Sequence, residues 1–423
     1  PGNKGGDGLV AARHLATSGR QVLAASVDVE LQVGDVVIDA IFGTGLRRRI
    51  EGDYAAAVAK INRWRQSGAV VVSADVPSGI NSDTGRLMGA HVTADVTVCF
   101  GALKYGLQVP PGRDHCGRVE LVDIGIPKAA FEVLTSPSFY VSDEETVQRL
   151  FPRRQSNSHK GTYGHVLVVA GAQGKTGAAA LAAMAALRAG AGLVTVLGRS
   201  SVIDLVLRHA PEVMGQVLAG EGPIALSDVP NVIDLLNGKT ALVIGPGLWV
   251  GPETGAAICQ ILASIQMRCL IDADGLNAVG SHIDRLRVAQ HRLVLTPHPG
   301  EMSRLLGIST DEVQSDRLGA ARQCSGRSGA TVILKGASSV IAEPDGSMVL
   351  NPTGNAGMAT AGTGDVLSGI LGAFLCRSMT VLQAAMAACF VHGLAGDLAA
   401  KRVGQNGLVA SDVISSLGSI WHR

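Results

Sequence analysis

Asp365 stands at the end of a glycine-rich run, NPTGNAGMATAGTGDVLSGILGAF at 351–374, and an apolar helical pattern starts directly after it. Gly362, Thr363 and Gly364 can let backbone N–H groups converge at the N-terminus of a helix beginning near Asp365, where the helix dipole also favours anions. A carboxylate in that place can take a proton from a hydroxyl while the amides hold the charge of a transferring phosphoryl group. Taken alone, AGTGD is equally an Asp N-cap after a glycine turn. Its surroundings favour the chemistry.

Other polar residues fall where strands should end. VLVVAGAQGKTGAAAL at 166–181 resembles a P-loop in outline, but that loop needs a glycine five positions before Gly174-Lys175, where Val169 stands. What remains is a glycine-rich turn with Ala178 and Ala179 small enough to admit a ligand. Gly245-Pro246-Gly247, Asp272 and Asp274 in IDADG, and His298 with Glu301 in TPHPGE are each an ordinary turn or cap when taken singly. Together they form the strand-end cluster that an open α/β sheet offers a ligand. Lys335, Gly336, Ala337, Ser338 and Ser339 follow the strand TVIL and can present amides, hydroxyls and a cation to a nucleotide phosphate or ribose.

The first half opens on PGNKGGDGLVAARHL at 1–15, a glycine loop before a helix, which sets amides against a pyrophosphate although its spacing is not GxGxxG. Asp39 leads into IFGTGL, and Asp75 lies in SADVPSG with Ser78 close behind. Asp7, Asp39 and Asp75 converging at strand ends would need a cation, a proton or hydrogen bonds to compensate them. Loop capping by each Asp is the alternative.

Two α/β units are needed to position these residues. In the first, β-branched runs at 21–26, 35–43, 69–79, 94–101 and 118–125 alternate with helical patterns at 8–18 and 53–66, the rhythm of a mostly parallel, doubly wound sheet. From 126 to about 159 the pattern weakens into a proline- and serine-bearing linker. It then restarts with strands at 165–171, 192–198, 240–247, 268–275, 292–300 and 331–342 and helices at 177–190, 252–266, 365–376 and 381–401. The halves carry different glycine motifs, so no internal repeat is expected.

A chain of 423 residues exceeds one typical domain, and 47% hydrophobic with only 3% aromatic residues suits small side chains packing helices closely on a sheet. A net charge of +1 gives no basis for binding nucleic acid or an anionic membrane, so small ligands are expected. Seven cysteines form no CxxC pair, which fits reduced thiols in the cytoplasm. The longest apolar stretch, 178–197, is broken by Arg188, Gly190 and Gly192 and reads as a buried helix and strand, not a membrane span. The chain begins on Pro1 inside a glycine-rich turn, so it is expected to lack its true start and an upstream strand.

HKGTYGHVLVVAGA, GPGL, IDADGLNA, LTPHPGEMSRLLG, VILKGASSVI and NAGMATAGTGDVLSG occur in the order seen in the ribokinase-like ADP/ATP-dependent NAD(P)H-hydrate dehydratases, and residues 139–423 resemble that family. The resemblance implies a ribokinase-like αβα fold and repair of NADHX or NADPHX, the cofactor hydrated on its nicotinamide ring, by nucleotide-driven phosphorylation of the hydroxyl and elimination. It places the hydrate on Ala178, Gly247, His298 and Asp365, the AMP part on Lys335 to Ser339 with Gly364, and the anion hole on Gly362, Thr363 and Gly364. Mg²⁺ is expected to offset phosphate charge. ADP is favoured as donor because relatives with both domains in one chain typically use it.

Residues 1–127 resemble the Rossmann-like NAD(P)H-hydrate epimerase domain, including FGALKYGL and DIGIP, with 128–138 as linker. This implies interconversion of R and S hydrates so that a stereospecific dehydratase consumes both. It puts ligand contacts on Asn3, Lys4, Gly5, Gly6 and Asp7, on Gly43, Thr44, Gly45, Leu46, Arg47, Arg48 and Arg49, and on Asp75, the choice for proton transfer. The family also binds K⁺, on positions that map to Lys4, Asp39 and Ser78. Asparagine is usual where Lys4 stands, and an ammonium offers a cation no ligand, so the Lys4 ammonium is expected to take the place of the metal; the alternative is Lys4 in solvent with K⁺ bound by fewer protein ligands. A homo-oligomer is expected from the resemblance. The competing reading is a ribokinase-like small-molecule kinase fused to a non-catalytic nucleotide-binding domain.

Overall fold

The structure, a computed structural model, describes residues 4–23, 31, 33–127, 129–130 and 139–420. The chain divides into two compact units, Pro1–Ser136 with Gln314–Arg317, and Pro137–Val313 with Leu318–Arg423.

In the first unit β1 (Val36–Asp39), β2 (Val70–Ala74), β3 (Val96–Phe100) and β4 (Arg118–Val122) lie side by side in sequence order, all parallel. β-branched residues alternate between the two faces, as the period of a strand requires. Val37 and Val71 pack with Val58 and Ile61 of the Gly52–Gln66 helix, while Val76, Ile80, Cys99 and Leu107 form a second cluster. Of the strand expected at 21–26, residues 21–23 are not in a strand and 24–26 lie outside the described residues. The first helix runs Lys4–Thr17, so Lys4 to Asp7 are helical rather than the loop the glycines suggested. Gly5 and Gly6 weaken a helix least in its first turn, whose N–H groups have no carbonyl to pair with, and Asp7 there suits the dipole.

The second unit holds β5 (Phe139–Val141), β6 (His165–Val169), β7 (Leu193–Gly198), β8 (Met214–Val217), β9 (Ala241–Ile244), β10 (Arg268–Ile271), β11 (Leu293–Leu295), β12 (Thr331–Leu334), β13 (Val340–Ala342) and β14 (Met348–Leu350). Their order across one sheet is β5-β14-β13-β12-β11-β10-β9-β6-β7-β8. Pairing is parallel except that β13 runs against both its neighbours. The run 331–342, expected as one strand, is therefore two, separated by Lys335–Ser339. β6 and β9 to β12 are buried on both faces, as a parallel sheet covered by helices demands.

The helices Thr176–Arg188 and Thr363–Leu375 approach so closely that a Cβ on Gly369 would sit 2.1 Å from the Ala182 carbonyl oxygen. Val381–Val403 is long and apolar enough to cross a bilayer, yet 61% of its apolar window is buried, with Ala384, Ala388, Val391 and Ala395 in the core. It serves as a core helix.

Candidate active site

In the second unit four neighbouring parallel strands, β9 to β12, release their chains at the same edge of the sheet. β9 leads to Gly245–Gly247, β10 to Asp272, β11 to His298 and β12 to Lys335. Gly245 has φ 129°, and a Cβ there would fall 1.8 Å from the Asp272 carbonyl oxygen, so only glycine lets the two strand ends lie this close.

Asp272 is the hub. Its side chain is 1% exposed, Oδ1 accepts from Lys335 Nζ at 2.7 Å, and Oδ2 accepts from Ser368 Oγ at 2.6 Å. Lys335 Nζ lies 3.8 Å from Glu301 Oε2. Glu301 in turn accepts from the His298 N–H at 2.8 Å, and its other oxygen is 3.4 Å from His298 Nε2. Beside this group Lys175 pairs with Asp274 at 2.9 Å. A Cβ on Gly247 would lie 2.9 Å from that of Ala178, and one on Gly364 3.5 Å from Lys335 Nζ. Ala178, Gly247, His298, Lys335 and Gly364 are thus joined through one connected set of contacts.

The Thr363–Leu375 helix closes the set. Gly362, with φ 89°, turns the chain into it, and the N–H groups of its first turn have no carbonyl one turn earlier to bond. Thr363 Oγ1 donates to the carbonyls of Met358 and Thr360 and fixes the loop ahead of the turn. Asp365 sits in that first turn, and burial, then the charge of Asp272, push its carboxyl up to about 7 despite the opposing pull of Lys335. A carboxyl poised there can accept a proton near neutral pH. Burial opposes the Lys335 ammonium, but Asp272, Glu301 and Asp365 together hold its pKa above the ordinary value. Burial, then Lys335 and Arg304, lower that of His298.

Gly336 and Ala337 are exposed, Ser339 is half-buried with its hydroxyl donating to the Gly336 carbonyl, and Ser338 is buried. Ser338 (φ 51°) and Ala273 (φ 50°), between Asp272 and Asp274, are non-glycine residues held at positive φ at the edge of this site. Such backbone persists only where the surroundings over-determine it.

In the first unit Asp39 ends β1 with 1% exposure. It accepts from Ser73 Oγ at 2.9 Å and from Ser78 N and Oγ at 2.8 and 2.6 Å. Burial raises its pKa against those bonds. Asp75 follows β2 at φ 68°, accepts from the Phe100 N–H at 3.1 Å, and forms an ion pair with Lys104. The Gly43–Arg49 segment is pinned to the Ser78 turn: Ser82 Oγ donates to the Thr44 carbonyl and Asn81 Nδ2 to that of Leu46. Gly43 and Leu46 are buried, whereas Thr44, Gly45, Arg47, Arg48 and Arg49 are exposed. Among the described residues no hydrogen bond or ion pair joins Asp7 to Asp39 or Asp75. Asp7 is exposed in the first turn of its helix, where a Cβ on the next residue, Gly8, would lie 3.2 Å from that of Ala40. Asn3 and the Lys4 side chain lie outside the described residues.

The profile of the NAD(P)H-hydrate dehydratase family matches residues 166–418, and that described as YjeF-related protein N-terminus matches 23–106. The bifunctional NAD(P)H-hydrate repair enzyme of Thermofilum pendens is 37% identical over 99% of this chain and 85% of its own length. That of Moorella thermoacetica is 38% identical over 98% and 85%. The chain belongs to the bifunctional NAD(P)H-hydrate repair enzymes. The chain is similar to the Bacillus subtilis ADP/ATP-dependent NAD(P)H-hydrate dehydratase co-crystallised with ATP and Mg²⁺, with TM-score 0.58 and 30% identity over 69% of this chain and 99% of that one.

This member of the repair-enzyme family adds residues that sequence reasoning did not assign. Ser368 was hidden in an apolar helix run three residues after Asp365, a spacing that puts both on one face. Lys104 was the lone cation in FGALKYGL, a signal that could have marked it as the partner of Asp75.

Proposed function

We propose that this enzyme repairs hydrated nicotinamide cofactors in two steps, with the first unit epimerising R- and S-NAD(P)HX and the second dehydrating the S form to NAD(P)H. The observation that carries the second step is a carboxyl with pKa about 7, Asp365, beside the amides of a helix N-terminus and the ammonium of Lys335. Asp365 takes the proton of the ring hydroxyl as its oxygen bonds the terminal phosphorus of ADP and the bond to AMP breaks. The Gly362–Gly364 amides and Lys335 hold the charge on the moving phosphoryl group. Phosphate then leaves with the C–O electron pair, a proton on the neighbouring ring carbon passes to solvent, and the C–H electron pair restores the double bond. Ala178 and Gly247 leave room for the nicotinamide nucleotide, His298 orients it, and Lys335 to Ser339 hold the AMP part. Mg²⁺, which usually keeps several waters and binds through substrate phosphates, would neutralise the phosphates from the nucleotide side.

In the first unit Asp75, pre-set by Lys104, moves the proton near the nicotinamide ring. Asp39, Ser78 Oγ and the Phe42 carbonyl, 3.3 Å from that hydroxyl, make an oxygen-only set that fits K⁺. An ammonium suits the same oxygens, and the reading adopted for this chain is that Lys4 supplies it in place of K⁺.

Incubating the protein with mixed hydrate epimers, Mg²⁺ and either ADP or ATP tests the reading by near-ultraviolet absorbance of reduced nicotinamide together with phosphate release. Full recovery is expected, with ADP the better donor. Recovery stopping near the S fraction would remove the epimerase, and a stable phosphorylated product would instead indicate a kinase.

A further inference from the structure

At the edge opposite the catalytic residues, where the strands of the second unit begin, a cleft of about 680 Å³ opens over the C-terminal end of the Thr363–Leu375 helix. Arg153, Arg154, Arg188 and Arg377 line it, over an apolar wall that includes Phe151 and Leu394. The helix has 13 residues and spans roughly 20 Å at 1.5 Å per residue, so this cleft is far from the first turn that carries Asp365.

Two of the guanidinium groups converge. A Cβ built on Gly190 would lie 2.8 Å from Nη2 of Arg377 and 2.9 Å from Nη2 of Arg154, so the two groups meet over a residue that has no side chain. Each is held there by the fold. Arg154 stacks on Tyr163, its Cζ 3.8 Å from the ring centre, and donates to the Gly190 carbonyl at 2.9 Å. Arg377 lies over Phe151 and Phe374, 5.2 and 5.9 Å from their ring centres. The helix-end carbonyls need neither arginine, because Arg268 donates to those of Leu375 and Arg377.

No carboxylate among the described residues forms an ion pair with Arg153, Arg154, Arg188 or Arg377. Glu144, the acid in the lining, instead accepts from Gln148 at 3.0 Å. Burial, then the charge of Arg154, lower the Arg377 pKa. Like charges fixed side by side are unfavourable until an anion joins them.

We propose that this cleft is a second ligand site, for a small organic phosphate whose headgroup bridges Arg154 and Arg377 and whose ring or chain lies on the Phe151–Leu394 wall. A phosphate presents three oxygens in different directions and can accept from two guanidinium forks at once, whereas a carboxylate is satisfied by one. The volume lies within the range of pockets for ligands of that size.

Calorimetric titration of the whole chain with phenyl phosphate, and in parallel with benzoate, tests the assignment at low salt. One class of sites per chain is expected to bind phenyl phosphate, with the dissociation constant raised about tenfold or more in Arg154→Gln and in Arg377→Gln, as loss of a charged hydrogen bond implies. Arg153→Glu with Arg188→Glu, at two exposed positions, is expected to weaken the same class. Binding that persists unchanged in all these variants belongs to the catalytic edge and overturns the proposal, as does no binding by the wild type. Benzoate binding as tightly as phenyl phosphate overturns the assignment of the headgroup.

Discussion

Replacing Asp365 by Asn removes both the proton acceptor and a buried charge, and the two losses act in opposite directions. As a missing general base it should lower kcat by about 10²- to 10⁴-fold. As a missing charge it should stabilise the fold. The carboxyl titrates at its ordinary 3.8 when unfolded and is pushed up to about 7 in the native protein, first by burial and then by Asp272. Between those pH values the folded chain holds the extra proton, so wild-type stability falls as pH rises from about 4 to 7 and the penalty is complete above 7. A gap of about three pH units at about 1.4 kcal/mol each sets a ceiling near 4 kcal/mol. Urea unfolding at pH 4, 6 and 8 reads it: the variant should match the wild type at pH 4 and gain steadily to pH 8, where the wild type carries the charge. Wild-type kcat should also rise with pH through about 7 as the base ionises. Equal stability at pH 8 would refute the buried-charge argument, and turnover undiminished in a folded variant would refute the base argument.

Lys335→Met leaves Asp272 and Glu301 buried without their ammonium, and loss of about 3 to 5 kcal/mol is expected in urea melts. Combining it with Asp272→Asn should recover part of that loss, and because Lys335 lowers the Asp365 pKa, the kcat profile of Lys335→Met should move to higher pH. Gly369→Ala, whose new Cβ would meet the Ala182 carbonyl at 2.1 Å, should cost about 1 to 3 kcal/mol and also reduce kcat, by shifting the helix that carries Asp365. Steady-state kinetics beside unfolding curves would separate these effects. Epimerisation should proceed at the same rate when K⁺ is exchanged for tetramethylammonium, and Lys4→Asn should make it K⁺-dependent; strong dependence in the wild type would exclude the tethered ammonium.

Much of this protein was legible before any coordinates. β-branched runs marked most long strands, because a strand's period lies in neighbouring residues, and Asp272, His298 and Lys335 fell at strand ends for the same reason. β5, β8 and β14 lie outside every run that was marked, and the Lys4–Asp7 stretch was read as a loop because its glycines outweigh its position in a first turn. The residue types that do chemistry at Asp365 follow from AGTGD. Their pairing does not. Lys335 reaches Asp272 across 63 residues, Ser368 reaches it across 96, and Lys104 reaches Asp75 across 29. Those distances are closed by sheet order and helix docking, which no local pattern encodes, and the shift of Asp365 depends on how deeply the docked helix buries it. The chain's own residues thus determined which chemistry is available, while only tertiary packing decided which charges face one another and which, like Arg154 and Arg377, meet no described carboxylate.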